Sequence, residues 1–266
     1  MFASKVVAIT GAGSGIGRAL AIELAARRAR LALSDINESA LAETQKLLPR
    51  DIEARAYPLD VSSREAVFRF AADVNRDFKA AHFIINNAGT GVIATVEHLT
   101  IAEIERVLNI NLWGVIYGTK AFLPFMLAQK EGCIVNISSV FGLLATPCNG
   151  AYAMSKFAVR GLTETLWQEL EDTGVRAVLV HPGGINTNIT KHTPHSQNEG
   201  EYERKLMAGM ARQMSTSPRD CAIEIIKGLE ARKKRLVVGN GARTLHRISR
   251  LLPDSYGALL RRKLDA

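Results

Sequence analysis

The chain has 266 residues, a formal charge of +8 and 47% hydrophobic residues, enough length and apolar content to bury a sizeable core without covalent staples. It holds no run of about 18 apolar residues, which excludes a membrane-spanning helix, and residues 1–9 are too short for a secretory leader. The three cysteines, Cys133, Cys148 and Cys221, have neither CxxC nor metal-ligand spacing, so no metal site and no disulfide framework are expected, and the chain is expected to be cytoplasmic.

In chain order, 5–10 reads as a buried strand and 16–28 as a helix with Leu20, Ile22 and Leu24 on its packed face. A strand follows at 31–35, ending in Asp35, then a helix at 39–48 that stops at Pro49. The pattern continues with a strand at 54–59, a helix at 64–78 and a strand at 83–85. Turn-spaced apolar residues predict one long helix over 101–129. Strands at 133–137 and 175–180 flank a helix at 151–170, and a helix at 218–231 precedes a last strand at 235–239. Strands that lack alternation and are separated by helices make a parallel sheet covered on both faces. The reading is an α/β chain, a single Rossmann-type doubly wound domain with about seven strands over 1–240. Within it 186–216 forms a partly helical substrate lid, and 241–266 is a basic amphipathic extension.

The first strand runs into Thr10-Gly11-Ala12-Gly13-Ser14-Gly15-Ile16-Gly17 and then a helix. Glycines there let the backbone turn sharply and approach a pyrophosphate, and the helix N-terminus offers unpaired N–H groups to the anion. Asp35, ending the next strand, can accept bonds from both ribose hydroxyls and would repel a 2′-phosphate. A phosphate-binding version calls for a cation near position 14 or 36, and those are Ser14 and Ile36. NAD is therefore favoured over NADP. Asp60, beside Val61, suits the adenine amino group. Asn86, Asn87, Ala88 and Gly89 follow a strand end, where open sheets place their ligands.

Tyr152 and Lys156 are four apart, on one face of a helix. A free phenol has a pKa of about 10, and a nearby ammonium is expected to lower it toward the range of a useful acid–base group. Ser138 or Ser139, at a strand end, can donate to a substrate oxygen beside that phenol. Asn111 is a polar residue amid an apolar helical run and can bind a water that relays protons to Lys156.

These motifs together resemble the classical short-chain dehydrogenase/reductase family, over about residues 4 to 240. The resemblance implies the catalytic set Asn111, Ser139, Tyr152 and Lys156, and selects Ser139 over Ser138. It also implies cofactor contacts by Gly11, Ser14, Gly15, Ile16, Gly17, Asn87, Ala88 and Gly89, with Pro182, Gly183, Ile185 and Thr187 at the nicotinamide, and with Tyr152 and Lys156. The family's helix before Asp35 usually ends in glycine, a position occupied here by Ala29. A left-handed backbone at alanine costs up to about 1 kcal/mol.

The implied activity is an NAD-dependent interconversion of a secondary alcohol and a ketone. A substrate wall of Ser139, Val140, Phe141, Leu143, Leu144, Thr146, Asn149, Tyr152 and Gly183 has no cation for a carboxylate, so a neutral hydrophobic substrate is expected. An NADPH-dependent carbonyl or 3-oxoacyl reductase, and a non-catalytic dinucleotide-sensing protein, are the alternatives. Met207, Met210 and Met214 suit the lid's apolar face, and His192 and His195 are read as loop residues. Family relatives pair through helices equivalent to 101–129 and 151–171, so a homodimer or homotetramer is expected. Nothing suggests a nucleic-acid partner. The tail, with Arg243, Arg247, Arg250, Arg261, Arg262 and Lys263 among leucines, is read as packing on its own or a neighbouring subunit rather than on an acidic bilayer.

Overall fold

In the computed structural model, residues 1–187, 196–212 and 214–259 are described, with the backbone alone over 207–212. His192, His195, Leu260, Arg261, Arg262 and Lys263, and the side chains of Met207 and Met210, fall outside them.

The strands are β1 (Val6–Thr10), β2 (Arg30–Asp35), β3 (Ala54–Pro58), β4 (Phe83–Asn86), β5 (Gly132–Ile137), β6 (Val175–Pro182) and β7 (Arg235–Val238). They form one seven-stranded sheet in the order β3-β2-β1-β4-β5-β6-β7, every pair parallel. The order reverses direction between β1 and β4, and the carboxyl ends of those strands open the crevice where such sheets place ligands. The helices are α1 (Gly15–Ala25), α2 (Glu38–Lys46), α3 (Arg64–Phe78), α4 (Ile101–Leu108), α5 (Gly114–Ala128), α6 (Gly150–Glu169), α7 (Glu201–Arg212), α8 (Pro218–Glu230) and α9 (Ala242–Leu251).

Alternate strand residues feed two apolar layers. Val7, Ile9, Leu31, Leu33 and Val135 meet Leu20 and Leu24 of α1 and Ile225 and Ile226 of α8. Val6, Ala8, Ala32 and Ile134 meet Phe70 and Val74 of α3 and Phe122 and Met126 of α5. Both faces being buried explains why the strands read as continuous apolar runs.

Local signals set the ends. The Ser63 side chain accepts from the Ala66 N–H to start α3, and Lys79, at φ 61°, ends it. Thr100 and Glu103 form a reciprocal capping box at α4. Two expectations are corrected. The helix over 101–129 is continuous but not regular: Asn109–Trp113 is a π turn, in which the Gly114 N–H reaches back to the Asn109 carbonyl. The left-handed residue after α1 is Arg28, at φ 62°, whereas Ala29 is a buried core residue; the backbone cost therefore falls on Arg28.

The tail is helical as expected, with α9 followed by a further helical turn at 256–259 beyond Pro253. Among the described residues no helix is long and apolar enough to cross a membrane, and no cluster of histidine, cysteine or acidic side chains could hold a metal. Cys133, Cys148 and Cys221 are free and buried.

Candidate active site

A cavity of about 780 Å³ runs along the carboxyl ends of the strands, from Asp35 to Tyr152. At its β1 end the chain turns through Gly11 and Gly15, both at positive φ (66° and 53°). The Thr10 hydroxyl accepts from the Asn87 and Ala88 N–H groups, both at 3.0 Å. The Asn87 amide returns bonds to the Thr10 and Gly11 carbonyls. Asn87 thus ties the β4 end to the glycine turn while also lining the cavity.

The glycines leave a cradle that side chains would fill. A Cβ at Gly11 would lie 2.8 Å from the Ala88 Cα, and one at Gly13 would lie 2.8 Å from Asp35 Oδ2. The Gly13 N–H instead donates to that oxygen at 2.8 Å, and the Asn37 N–H donates to Oδ1 at 2.9 Å. Each carboxylate oxygen keeps acceptor capacity for a diol. Gly17 is not on the cavity wall: a Cβ there would come 2.1 Å from the Gly11 carbonyl oxygen, so its role is helix-to-turn packing. Ser14, Ile16, Asp60, Val61, Ala88, Gly89, Pro182, Gly183, Ile185 and Thr187 all line the cavity. Asp60 also accepts from the Ser62 N–H and hydroxyl, which shapes its turn. The wall has one cation that the sequence reading passed over. Arg18 faces the Asp35 end, its guanidinium tied to Thr44 Oγ1, the Ala40 carbonyl and Glu43. A cradle of this shape, with helix N–H groups at one end and an acceptor carboxylate at the other, fits a dinucleotide.

At the far end, Tyr152 and Lys156 sit on the first turns of α6. The Tyr152 hydroxyl lies near the Ser139 side chain, which favours its ionised form, and the Phe141 ring stands edge-on to the phenol at 6.2 Å. Ser139 begins a short 3₁₀ turn (Val140–Gly142), and its hydroxyl accepts from the Phe141 N–H at 3.1 Å. Ser138 points elsewhere, donating to the Lys156 carbonyl. The geometry thus places Ser139, not Ser138, beside the phenol. Val140 and Leu143 were expected on the substrate wall with Leu144 and Thr146. None of the four lines the cavity, because the 3₁₀ turn carries that segment behind it; Phe141 and Asn149 do line it. Gly91, Val92 and Ile93 also line the wall, and no spacing rule marks them in the sequence; Met214, read from the sequence as part of an apolar face, lines it too.

Lys156 is buried, its ammonium donating to the Ile137 carbonyl at 3.0 Å and lying 5.5 Å from the Tyr152 ring centre. Burial pulls its pKa down to about 8. Burial also raises the Tyr152 pKa above the usual 10, and the nearby Ser139 hydroxyl works against that rise. The expected lowering by the ammonium is therefore not the dominant effect; desolvation of the phenol outweighs it. Asn111, fully buried in the π turn, accepts from the Thr90 N–H at 2.8 Å and donates to the Thr90 carbonyl and Ser155 hydroxyl. It lies beneath the cavity floor, clamping the β4 exit loop to α6, with one Oδ1 lone pair left for a water.

Glu203 of α7, itself buried, accepts from the Thr95 N–H and hydroxyl and from Gly200 N–H, and its Oε1 meets His98 Nδ1 at 2.6 Å. These contacts hold its carboxyl at about 2. The tail packs back on the domain, where the Tyr256 hydroxyl accepts from the Ala145 N–H at 3.0 Å.

Comparison with known proteins agrees with this geometry. A family model described as short chain dehydrogenase matches residues 5–198. The chain is 41% identical over 263 residues to the SadH protein of Mycobacterium tuberculosis, covering 97% of this chain and 95% of that one. It is 30% identical over 265 residues to human estradiol 17-beta-dehydrogenase 11, covering 98% and 83%. Among solved structures, a short chain dehydrogenase/reductase from Burkholderia phymatum in complex with NAD superposes with a TM-score of 0.89 at 30% identity, over 96% of each chain. The alcohol dehydrogenase of Thermococcus sibiricus complexed with 5-hydroxy-NADP gives 0.74 at 28% identity, over 88% and 95%.

Proposed function

The chain belongs to the short-chain dehydrogenase/reductase family of oxidoreductases, and on that premise we propose that it interconverts a neutral, hydrophobic secondary alcohol and its ketone with NAD(H). One observation carries the reading: the Tyr152 and Ser139 side chains share a cavity with Lys156, the glycine cradle and Asp35.

A dinucleotide with its pyrophosphate in the cradle and its nicotinamide near Pro182, Gly183, Ile185 and Thr187 would supply a hydride acceptor or donor at C4. The chain's own residues do the rest. As the carbinol carbon gives up its hydride, Tyr152 takes the hydroxyl proton while its own proton passes to neutral Lys156, so that burial, which disfavours a standing phenolate, does not block the step; Ser139 holds the oxygen while it becomes a carbonyl. In reduction Tyr152 is the acid and Ser139 polarises the carbonyl. Lys156, with its pKa near 8, changes charge close to working pH and can pass the proton onward past Asn111. Asp35 takes the adenosine ribose diol. The apolar side chains of Val92, Ile93, Phe141 and Met214 favour a substrate without charge. Binding in this cleft positions the reacting atoms, which is the protein's main contribution.

Screening hydrophobic alcohols and ketones by nicotinamide absorbance tests the activity. Tyr152→Phe is expected to lower turnover by about 100-fold or more with NAD affinity nearly intact; full turnover in that variant refutes the assignment. Arg18 beside Asp35 favours a second reading, reduction with NADPH, which comparison of initial rates with the two cofactors decides. Binding of NADH with no turnover across the screen points to a dinucleotide sensor.

We also propose a homodimer or homotetramer through α4–α5 and α6, on which Trp113, Met154 and Phe157 expose apolar surface (45%, 50% and 40%). Light scattering tests it. The Tyr256 contact supports intramolecular packing of the tail over membrane docking, and equal sedimentation with acidic vesicles of full-length chain and a form ending at Gly239 is the expected result. A cytoplasmic site of action completes the proposal.

A further inference from the structure

His181 lies at the end of β6, immediately before Pro182-Gly183, and is completely buried. Its Nδ1 lies 2.7 Å from the Ser139 carbonyl oxygen. A carbonyl can only accept, so Nδ1 carries the proton and the imidazole is fixed in one tautomer. The other nitrogen, Nε2, is buried with no hydrogen-bond partner. An imidazole kept at such a desolvation cost is using its remaining contact for something.

The contact falls on one peptide. Ser139 is held at two points, its backbone oxygen by His181 and its hydroxyl by the Phe141 N–H, and that hydroxyl lies near Tyr152. The preceding residue is fixed by the sheet, where the Ser138 N–H donates to the Val180 carbonyl at 2.8 Å. The chain leaves the sheet at Ser139 itself, so the His181 bond replaces the next rung of the β5–β6 ladder. It sets the orientation of the peptide from which the 3₁₀ turn, and with it the Ser139 hydroxyl, departs.

We propose that His181 is a positioning residue for hydride transfer, holding the Ser139 peptide so that its hydroxyl stays aimed at Tyr152 and the substrate oxygen. The inference rests on the proposed alcohol–ketone chemistry and deepens it. His181 does not touch the reacting atoms; it acts through Ser139. The surroundings keep the imidazole neutral. Burial pulls its pKa down to about 4 against the opposing effect of the bond to the Ser139 carbonyl, and Arg235 of β7, Arg160 of α6 and His246 of α9 act in the same direction as burial. Glu164, the acid among those groups, is bound to both Arg160 and Arg235. The Nδ1–H donor is therefore present unchanged across the physiological range.

Two measurements test this. The first needs no substrate. In protein carrying ¹⁵N-histidine, the ring signals missing from His181→Asn identify His181. They are expected to show a neutral ring protonated at Nδ1 from about pH 5.5 to 8. A ring protonated at Nε2, or one titrating within that range, overturns the proposal. The second uses NADH-linked reduction of cyclohexanone and 2-decanone. His181→Leu is expected to lower kcat by about 10- to 100-fold, with the KM for NADH nearly unchanged. His181→Asn, whose amide N–H falls near the Nδ1 position, restores most of the loss. Adding His181→Leu to Ser139→Ala costs little further rate, because residues acting through one group are not additive. An equal loss in both backgrounds shows that His181 acts independently of Ser139 and overturns the proposal. If the wild-type chain reduces neither ketone, the choice of these substrates fails, while the ring measurement still decides the position of the imidazole.

Discussion

Lys156 is the residue whose burden on the fold can be weighed. Its side chain is buried, and its proton is lost at about 8 rather than 10.5. At ~1.4 kcal/mol per pH unit, holding the ammonium in the folded chain costs about 3 kcal/mol below pH 8. The sign follows from the protons bound. Between about 8 and 10.5 the unfolded lysine keeps a proton that the folded one has lost, so unfolding takes up a proton and stability rises with pH. Below 8 both states are protonated and the full cost stands. Lys156→Met keeps the length of the apolar stem and removes the titration. Urea unfolding of both proteins from pH 7 to 10 is the assay. The variant is expected to be about 3 kcal/mol more stable than wild type at pH 7, with the gap falling below about 1 kcal/mol by pH 10. Staying below pH 10 keeps Tyr152, whose pKa is raised, from titrating in the same window. A gap that does not change with pH refutes the reasoning. The same comparison bears on mechanism: the substitution should gain stability while losing turnover, the trade expected of a charge kept for chemistry.

Gly13→Ala places a methyl group 2.8 Å from Asp35 Oδ2; losing the charged hydrogen bond there should weaken NAD binding by about 10-fold or more by calorimetry, and unchanged affinity would contradict the cradle. Gly161→Ala, on the exposed face of α6, meets nothing within 4 Å and should stabilise the chain by about 0.5–1 kcal/mol in urea titration; destabilisation would show that the position is spoken for. Glu203→Gln removes the charge that meets His98 and should speed proteolysis within α7 without lowering affinity for NAD. An unchanged cleavage rate would show that the carboxylate does not hold α7 in place.

The sheet and its helices were legible because their signals are local. The span of α3 follows directly from the Ser63 cap and the turn after Phe78, and β1 and the glycine turn announce each other. The Tyr152–Lys156 face needed only helical spacing. What stayed hidden depends on contacts distant in the chain. The π turn carries the same apolar periodicity as the helix around it, so nothing in 101–129 marks the extra residue in the turn. The choice of Arg28 over Ala29 as the left-handed residue was settled by Ala29 packing into the core. The 3₁₀ turn after Ser139 moved Val140 and Leu143 off the wall, a rotation that alternation cannot reveal. His181 sits in an apolar strand run, and its partner is 42 residues away. Tyr256 bonds to Ala145 across 111 residues. The depression of the Lys156 pKa, and the failure of its charge to dominate Tyr152, required knowing how deeply both are buried.

The widened turn at Asn109–Trp113 has a further consequence. It adds one residue to a continuous rod and so offsets the two halves by roughly 100° about the common axis. Val107 before it joins a small apolar cluster with Val92 and Leu99, whereas Phe122 and Met126 after it join the main layer beneath the sheet. One rod thereby seats two separate cores, with Asn111 at the seam. Substitutions along this rod can be absorbed one side chain at a time, but a change of length cannot. Deleting a single residue would restore a regular helix and turn one of the two cores outward, so this stretch is fixed in residue count more strictly than in composition.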